Sequence, residues 1–419
     1  MAPVRFCHVT TFYPPYNFGG DGIGIQRLCR ALVRRGHEVT VVHEKDAYDA
    51  LRKGPSPEPV VEPGIERISL ESGIGALSPM LVQQLGAPVV HRRRLETLLE
   101  RGRFDVINFH NSSLVGGPGL FSMGRGTKIY MAHEHWLVCE SHVLWRHGRE
   151  PCDRRECLRC VLHHHRPPQL WRRTGWLESQ ARHIDAFIAM SEFSRNKHRE
   201  LDFPFEMEVV PYFLPDANVL PDANSVDSDT KSPHDSPYFL FVGRLERLKG
   251  LQDVLPLFRN DLGADLLIAG DGEYGEELRR MAPKSARVRF LGRVGLDELP
   301  RYYRHAVALI VPSVGFETFG IILIEAFRNR TPVIARRRGP FPEIVEASGA
   351  GDLFETPEEL RAALQAALAS PERQRARGEL GFRRFEELWS ESAVLPRYLS
   401  VVRRAAERRG DRALVNRLS

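Results

Sequence analysis

Residues Ala306–Arg330 read AVALIVPSVGFETFGIILIEAFRNR, and the fold turns on how they are read. Ala306 to Val311 is a short apolar run stopped by Pro312, the pattern of a strand buried on both faces. Ser313, Gly315 and Gly320 punctuate a turn, and from Thr318 or Phe319 the pattern is helical through Phe327. Glu317 stands at the mouth of the turn. Glu325 follows one helical stretch later, roughly 12 Å away at about 1.5 Å per residue.

Glu325 is set among Ile322, Leu323, Ile324, Ala326 and Phe327, which predicts a buried carboxylate in need of a partner. The N–H groups of Phe319, Gly320 and Ile321 open the helix, where the backbone dipole favours an anion such as a phosphate. A nucleotide sugar would satisfy all three features, with its sugar at Glu317, its diphosphate over the helix start and its ribose on Glu325. The rival reading is a buried structural Glu–Arg pair. The stretch resembles the Glu-x7-Glu signature of the retaining, nucleotide-sugar-dependent glycosyltransferases of family 4. That resemblance implies an α/β fold of two Rossmann-like domains facing across a cleft (GT-B type), the first Glu beside the donor sugar and the second on the ribose.

A chain of 419 residues exceeds what one core usually serves, so two domains are expected. No apolar run reaches the length of a membrane span, and MAPVRFCHVT enters a strand directly, so a cytoplasmic protein is expected. A net charge of +5 is modest for this length and does not call for nucleic acid. Basic residues do cluster, at Arg92 to Arg94, through Arg146 to Arg166 and in the C-terminal tail. Such clusters suit peripheral contact with anionic lipid at the inner face of a membrane, or a phosphorylated acceptor.

Val4 to Thr10, Gly22 to Gly36 and Glu38 to His43 predict a parallel β-α-β start. In the joining loop TTFYPPYNFGGDGIG, Gly19, Gly20 and Gly22 let the backbone approach a ligand. Gly20-x-Gly22-x-Gly24 is not the spacing of a dinucleotide fingerprint. The loop resembles the Pro-Pro-x(n)-Gly-Gly loop of the family, which closes over donor phosphate and acceptor. Phe104 to Phe109 and Thr127 to Ala132 predict further buried strands, ending in His110-Asn111 and His133-Glu134-His135. His133-Glu134 resembles the family's His-Asp pair with Glu in place of Asp, which implies that His133 contacts the donor sugar. Where the family commonly carries a Pro-Asn-Gly-type turn, this chain has Pro211-Tyr212-Phe213.

Between these elements, residues 139–166 form an insertion rich in Cys, His and Arg. Cys139, Cys152, Cys157 and Cys160 are candidate ligands of a structural zinc, with a redox-sensitive clip as the alternative, and only Cys157-x-x-Cys160 has the usual pair spacing. Leu170 to His183 and Glu192 to Leu201 read as helices around a strand at Ala186 to Met190, with Ser191 as an N-cap.

The first domain is expected over 1–213, bound to the acceptor. A Pro-, Asp-, Asn- and Ser-rich linker follows over 214–236. Asp227-Ser228-Asp229 within it imitates a metal motif of another fold, but no strand precedes it. The second, donor-binding domain is expected over 237–390, with 391–419 a terminal helix returning to the first domain. It opens on the strand Tyr238 to Val242 and Gly243-Arg244-x4-Lys249-Gly250. Arg244 offers a planar fork and Lys249 a point charge to one diphosphate, and the motif closely resembles the family's diphosphate ligands. Gly270-Asp271-Gly272-Glu273-Tyr274-Gly275 has fingerprint spacing but follows the second strand of its domain, and the next strand ends in Gly292-Arg293 without a ribose acid. The resemblance gives Gly272, Arg293 and Val294 to the nucleotide pocket.

These features together predict a retaining hexosyltransferase whose donor is a nucleotide sugar, UDP-sugar favoured and GDP-sugar open, and whose acceptor is a glycan, a lipid-linked or a small molecule. Arg244, Lys249, Glu317 and His133 are the expected catalytic set, with no cofactor required for the chemistry. An epimerase or phosphorylase on the same fold, or a silent nucleotide-sugar-binding protein, are the rival functions.

Overall fold

The computed structural model describes residues 2–216, 231–258, 262–282 and 287–418. Most of the linker expected over 214–236, including Asp227-Ser228-Asp229, lies outside them. The chain forms two units, one of Met1–Tyr212 with Val394–Ser419 and one of Phe213–Ala393.

The first unit is built on seven strands, β1 (Arg5–Thr10), β2 (Glu38–Glu44), β3 (Ile65–Leu70), β4 (Val106–Phe109), β5 (Thr127–Ala132), β8 (Ala186–Ala189) and β9 (Met207–Val209), ordered β3-β2-β1-β4-β5-β8-β9. Every pairing in it is parallel. Strands β4, β5 and β8 are buried at every residue, so both sheet faces are covered and their sequences are mostly apolar, with Asn108, Thr127 and Lys128 the buried polar residues among them. A separate antiparallel hairpin, β6 (Trp145–Arg146) and β7 (Glu150–Pro151), lies in the insertion.

Helix Gly20–Arg34 begins two residues earlier than its periodicity suggests, which places Gly20 in the helix and makes Gly19 the N-cap. Gly22 and Gly24 serve packing: a Cβ on Gly22 would stand 2.3 Å from Asn17 Oδ1, and one on Gly24 2.3 Å from the Tyr212 ring. Ser191 caps helix Glu192–Glu200, its hydroxyl accepting the Ser194 N–H at 3.0 Å. The segment 170–183, expected to be one helix, divides into a 3-10 turn, Leu170–Arg173, and a short helix, Trp176–Ala181, because Gly175 between them takes a left-handed φ of 71°.

The second unit holds β10 (Tyr238–Val242), β11 (Asp265–Ala269), β12 (Val288–Gly292), β13 (Leu309–Val311), β14 (Val333–Arg336) and β15 (Gly351–Phe354), ordered β12-β11-β10-β13-β14-β15 and all parallel. Phe239, Phe241, Leu266, Ile268, Ile310 and Ile334 fill one face of this sheet. Helix Glu391–Arg409 carries the chain from this unit back into the first. There Tyr398 accepts a hydrogen bond from Asn108, and in the last helix, Arg412–Leu418, the Arg417 guanidinium grips both Asp105 oxygens at 2.6 and 2.8 Å. A bidentate pair of this kind fixes orientation as well as contact.

Candidate active site

In the second unit strand order reverses between β10 and β13, the place where an open α/β sheet leaves a crevice at its carboxyl edge. The turns that follow β11, β10 and β13 are stitched together there by backbone hydrogen bonds. Leu245 N–H donates to Asp271 O at 3.0 Å and Tyr274 N–H to Leu245 O at 3.0 Å, while Val314 N–H donates to Leu248 O at 2.9 Å. Two glycines permit the approach. A Cβ on Gly270 (φ 148°) would lie 1.9 Å from Gly243 O, and one on Gly250 (φ 74°) 2.0 Å from Pro312 O. Gly272 is held as tightly, 2.4 Å from Leu245 O by the same construction. Arg244, Lys249, Gly272 and Glu317 therefore share one rigid platform.

On that platform Lys249 Nζ lies 2.8 Å from Glu317 Oε1, which also accepts the Ser313 hydroxyl at 2.9 Å. Arg244 is largely exposed and leans on Glu246 at 2.8 Å. Arg293 is more exposed still, 3.9 Å from Asp271. The following helix, Ile321–Arg328, starts later than the sequence suggests, because Gly320 at φ 137° breaks the backbone at its N-cap. A Cβ there would stand 2.9 Å from the Phe341 ring. Phe319 is buried beneath the helix start, and Ile321 supplies a first-turn N–H with no acceptor inside the helix. Glu325 is half-buried, not enclosed as its apolar neighbours suggest; its side chain lies on the flank of the helix and accepts the Tyr303 hydroxyl at 3.2 Å. Val294, in the turn after β12, is half-buried.

In the first unit His8 within β1 and the residues just past the ends of β4 and β5 form a stack of three histidines. His8 Nδ1 meets His110 Nε2 at 2.9 Å, His110 Nδ1 meets His133 Nε2 at 2.7 Å, and His133 Nδ1 meets the Tyr212 hydroxyl. Burial drives the pKa of His8 and His133 down to about 3 and that of His110 well below the usual imidazole value, so all three are neutral at pH 7. A neutral imidazole donates from one nitrogen and accepts at the other, so the rings must share one sense. His8 Nε2 is buried without a hydrogen-bond partner, and a bare lone pair there costs less than an orphaned N–H. The favoured form is Nδ1–H throughout, with Tyr212 accepting from His133. His133 is thus anchored at both nitrogens within its own unit, and Glu134 beside it engages His142 Nδ1 at 2.8 Å.

The insertion brings Cys139, Cys152, Cys157 and Cys160 to the wall of one cavity. All four are free thiols, and burial followed by the neighbouring thiols pushes Cys152 up to about 11. A second group with metal-binding donors, Glu44, Asp46 and His91, brings its ligand atoms within 4.8 Å of one another.

Comparison with known proteins accounts for both units. The model of Glycosyltransferase Family 4 matches residues 18–214, and that of Glycosyl transferases group 1 matches 223–384. The chain belongs to the family-4-type glycosyltransferases. An uncharacterized glycosyltransferase of Methanocaldococcus jannaschii is 36% identical over 118 residues, a match spanning 27% of this glycosyltransferase and 30% of that relative. A mannosyltransferase of Mycolicibacterium hassiacum is 25% identical over 93% of this chain and 96% of its own. The crystal structure of an Anabaena protein in complex with UDP superposes with a TM-score of 0.63 at 16% identity, covering 97% of this chain and all 100% of that one, a likeness of fold. The expected GT-B-type α/β class of two Rossmann-like units is what this glycosyltransferase has.

The sequence reading missed Ser313, Tyr303 and Tyr212, which hold Glu317, Glu325 and His133 respectively. Ser313 could have been found from its place after a strand, four residues before Glu317. Tyr212 had a signal too, since it stands where the family pattern is broken.

Proposed function

We propose that this glycosyltransferase moves a hexose from a nucleoside diphosphate to an acceptor hydroxyl with retention of configuration. The observation that carries the reading is the stitched platform at the strand-order reversal of the second unit, which holds Arg244 and Lys249 on the turn after β10 and Glu317 on the turn after β13, ahead of helix Ile321–Arg328. Two cations and a helix N-terminus suit a diphosphate whose charge grows as the sugar leaves. Lys249 has donors beyond the one Glu317 takes, so ion pair and phosphate contact are compatible. Glu317 would face the sugar and Glu325 the ribose. The acceptor hydroxyl would attack on the face from which the diphosphate leaves, its proton passing to a departing phosphate oxygen. By the family resemblance His133 would contact the donor sugar, and the loop carrying Gly19 and Gly20 would close over the donor phosphate and the acceptor.

A uridine donor is favoured, consistent with the UDP held by the Anabaena protein of like fold, with GDP-sugar as the other candidate. The acceptor would be a carbohydrate or a lipid-linked molecule. In the first unit Ile74, Leu77, Met80, Leu85 and Val89 are exposed, next to exposed Arg92, Arg93 and Arg94. Exposed apolar side chains followed along the chain by three exposed cations would suit an anionic lipid surface, which would bring a lipid-linked acceptor within reach. Among the described residues no helix is long and apolar enough to cross a membrane.

The test is a thermal-shift panel of UDP-, GDP- and ADP-sugars followed by NMR of the product linkage. A donor at 100 times its Kd adds about 2.7 kcal/mol. No shift with any donor would sink the reading, and a product of inverted anomeric configuration would sink retention.

A further inference from the structure

We propose that residues 139–160 hold a single zinc ion on four thiolates, Cys139, Cys152, Cys157 and Cys160. Four of the chain's six cysteines, spread over a stretch with little regular structure, converge on one cavity of about 20 Å³, room for one water-sized body. They arrive from separate elements. Cys139 lies in the loop after β5, Cys152 directly after the β6–β7 hairpin, and Cys157 and Cys160 on the first turn of helix Cys157–His163. Residues three apart on a helix share a face, so the last two thiols point the same way. A backbone N–H already serves one of them, His147 N–H donating to Cys160 Sγ at 3.3 Å, which is how a thiolate ligand is commonly steadied by its surroundings.

Cys139 Sγ lies 3.3 Å from Ser141 Oγ, and the Cys152 thiol donates to Arg154 O at 3.4 Å. Among the described residues, no three of these sulfurs lie within 4.8 Å of one another. Zinc at about 2.3 Å from each sulfur requires a tetrahedron of roughly 3.8 Å edges, so the four thiols lining this cavity would have to draw closer on binding. On binding, each thiol gives its proton to solvent, and the ion replaces the Ser141 and Arg154 contacts.

The segment needs such a staple. Leu158 and Leu162 of its helix and Val143 before its hairpin are exposed, and β6 and β7 have two residues each. Of its apolar side chains Leu144 and Val161 are buried, a small core for a stretch of this length, and a small substructure of this kind is usually fixed by a metal or disulfides. The ion would tie this segment to the end of β5, the strand that delivers His133.

The experiment uses the full chain purified under reducing conditions without chelator. Elemental analysis is expected to give one zinc per chain, and exchange with Co²⁺ to give the sulfur-to-cobalt charge-transfer absorption of a four-thiolate site. Cys157→Ser with Cys160→Ser should abolish both signals, and Cys29→Ala, in the buried core, should leave them intact. Sub-stoichiometric zinc in the wild-type chain with no cobalt band after reduction would overturn the proposal. So would a mass showing that these cysteines are oxidised in pairs with no metal bound. Because the decisive reading is on the wild-type chain, a variant that fails to fold does not protect the idea, and donor binding is measured separately from it.

Discussion

Lys249 and Glu317, separated by 68 residues, meet at 2.8 Å on the turns that follow β10 and β13. Both side chains are partly exposed, so their pairing contributes at most about 1 kcal/mol to folding. The contact is better explained as positioning: it holds an ammonium group and a carboxylate at the strand-order reversal, where the donor is proposed to bind. Lys249→Ala is expected to lower kcat/KM by at least tenfold while shifting Tm by a few degrees or less. Equal losses in activity and stability would mean that the pair is structural.

Arg244 leans on Glu246 and is largely exposed, so its removal should hardly touch stability. Arg244→Ala should remove roughly 2–4 kcal/mol of transition-state stabilisation, seen mainly in kcat. Unchanged turnover with a saturating nucleotide sugar would take Arg244 out of the reaction.

The buried histidines give a stability profile with a definite sign. The pKa values of His8 and His133 are near 3 in the folded chain, while the unfolded chain takes up protons near the ordinary imidazole value of 6.5. Below pH 6.5 the unfolded state binds more protons, so stability falls as pH drops from about 6.5 toward 3 and is level above that range. Denaturant unfolding of the wild-type chain and of His8→Asn across pH 5 to 8 checks it; the variant should show the shallower slope. A wild-type profile flat from pH 8 to 5 would contradict the neutral stack.

Tyr212 accepts from His133 at the far end of that stack. Tyr212→Phe keeps the ring and removes the acceptor, which should cost about 1–3 kcal/mol and loosen the His133 ring, detected as exchange broadening of its NMR signals. An unshifted midpoint in urea would mean that the hydroxyl does not hold His133.

Much of the fold was legible because parallel strands buried on both faces are continuous apolar runs: β1, β5, β10 and the helix after β13 stand out in the sequence, and Gly250 and Gly320 mark real breaks. The strand Ile65–Leu70 was not legible. It lies at the sheet edge with Glu66, Arg67 and Ser69 interleaved, and a strand covered on one side resembles loop composition. Site residues set by local spacing, such as Arg244 with Lys249, could be read. The joins across distant segments could not, since neither the Lys249–Glu317 pair nor the His8–His110–His133 stack leaves a periodic trace. Glu325 misled for the opposite reason: apolar neighbours in sequence need not surround a side chain that leaves the flank of its helix.

Gly270 is confined by the platform itself, its φ of 148° and the 1.9 Å approach to Gly243 O excluding any side chain. Gly270→Ala should destabilise by more than about 3 kcal/mol and abolish donor binding, because the turn carrying Arg244 must move to admit the methyl group. Gly263, also at positive φ (75°) but with open space around it, is the control: Gly263→Ala should cost only about 1–2 kcal/mol and leave nucleotide affinity unchanged. Comparable losses at both positions would mean that backbone strain alone, and not the stitching of the turns, governs the site.

The exposed patch on helix Leu77–Leu85 is inverted for a helix packed on a protein surface, with Ser78 and Val82 buried while Leu77, Met80 and Leu85 face outward. Leu77, Met80 and Leu85 are each a little over half exposed, so covering the remainder would recover about 1 kcal/mol each, and the exposed Arg92 to Arg94 would add about 1 kcal/mol apiece against an anionic surface. Co-sedimentation with vesicles containing phosphatidylserine is therefore expected to be strong at low salt, weaker at high salt and weak on neutral lipid. Leu77→Ser with Met80→Ser should reduce it at every salt concentration, whereas Arg93→Gln should reduce it mainly at low salt. Neither change touches the second unit, so nucleotide affinity should be unaltered. Binding independent of lipid charge, or binding that survives the Leu77→Ser and Met80→Ser changes, would mean that this patch serves something other than a membrane.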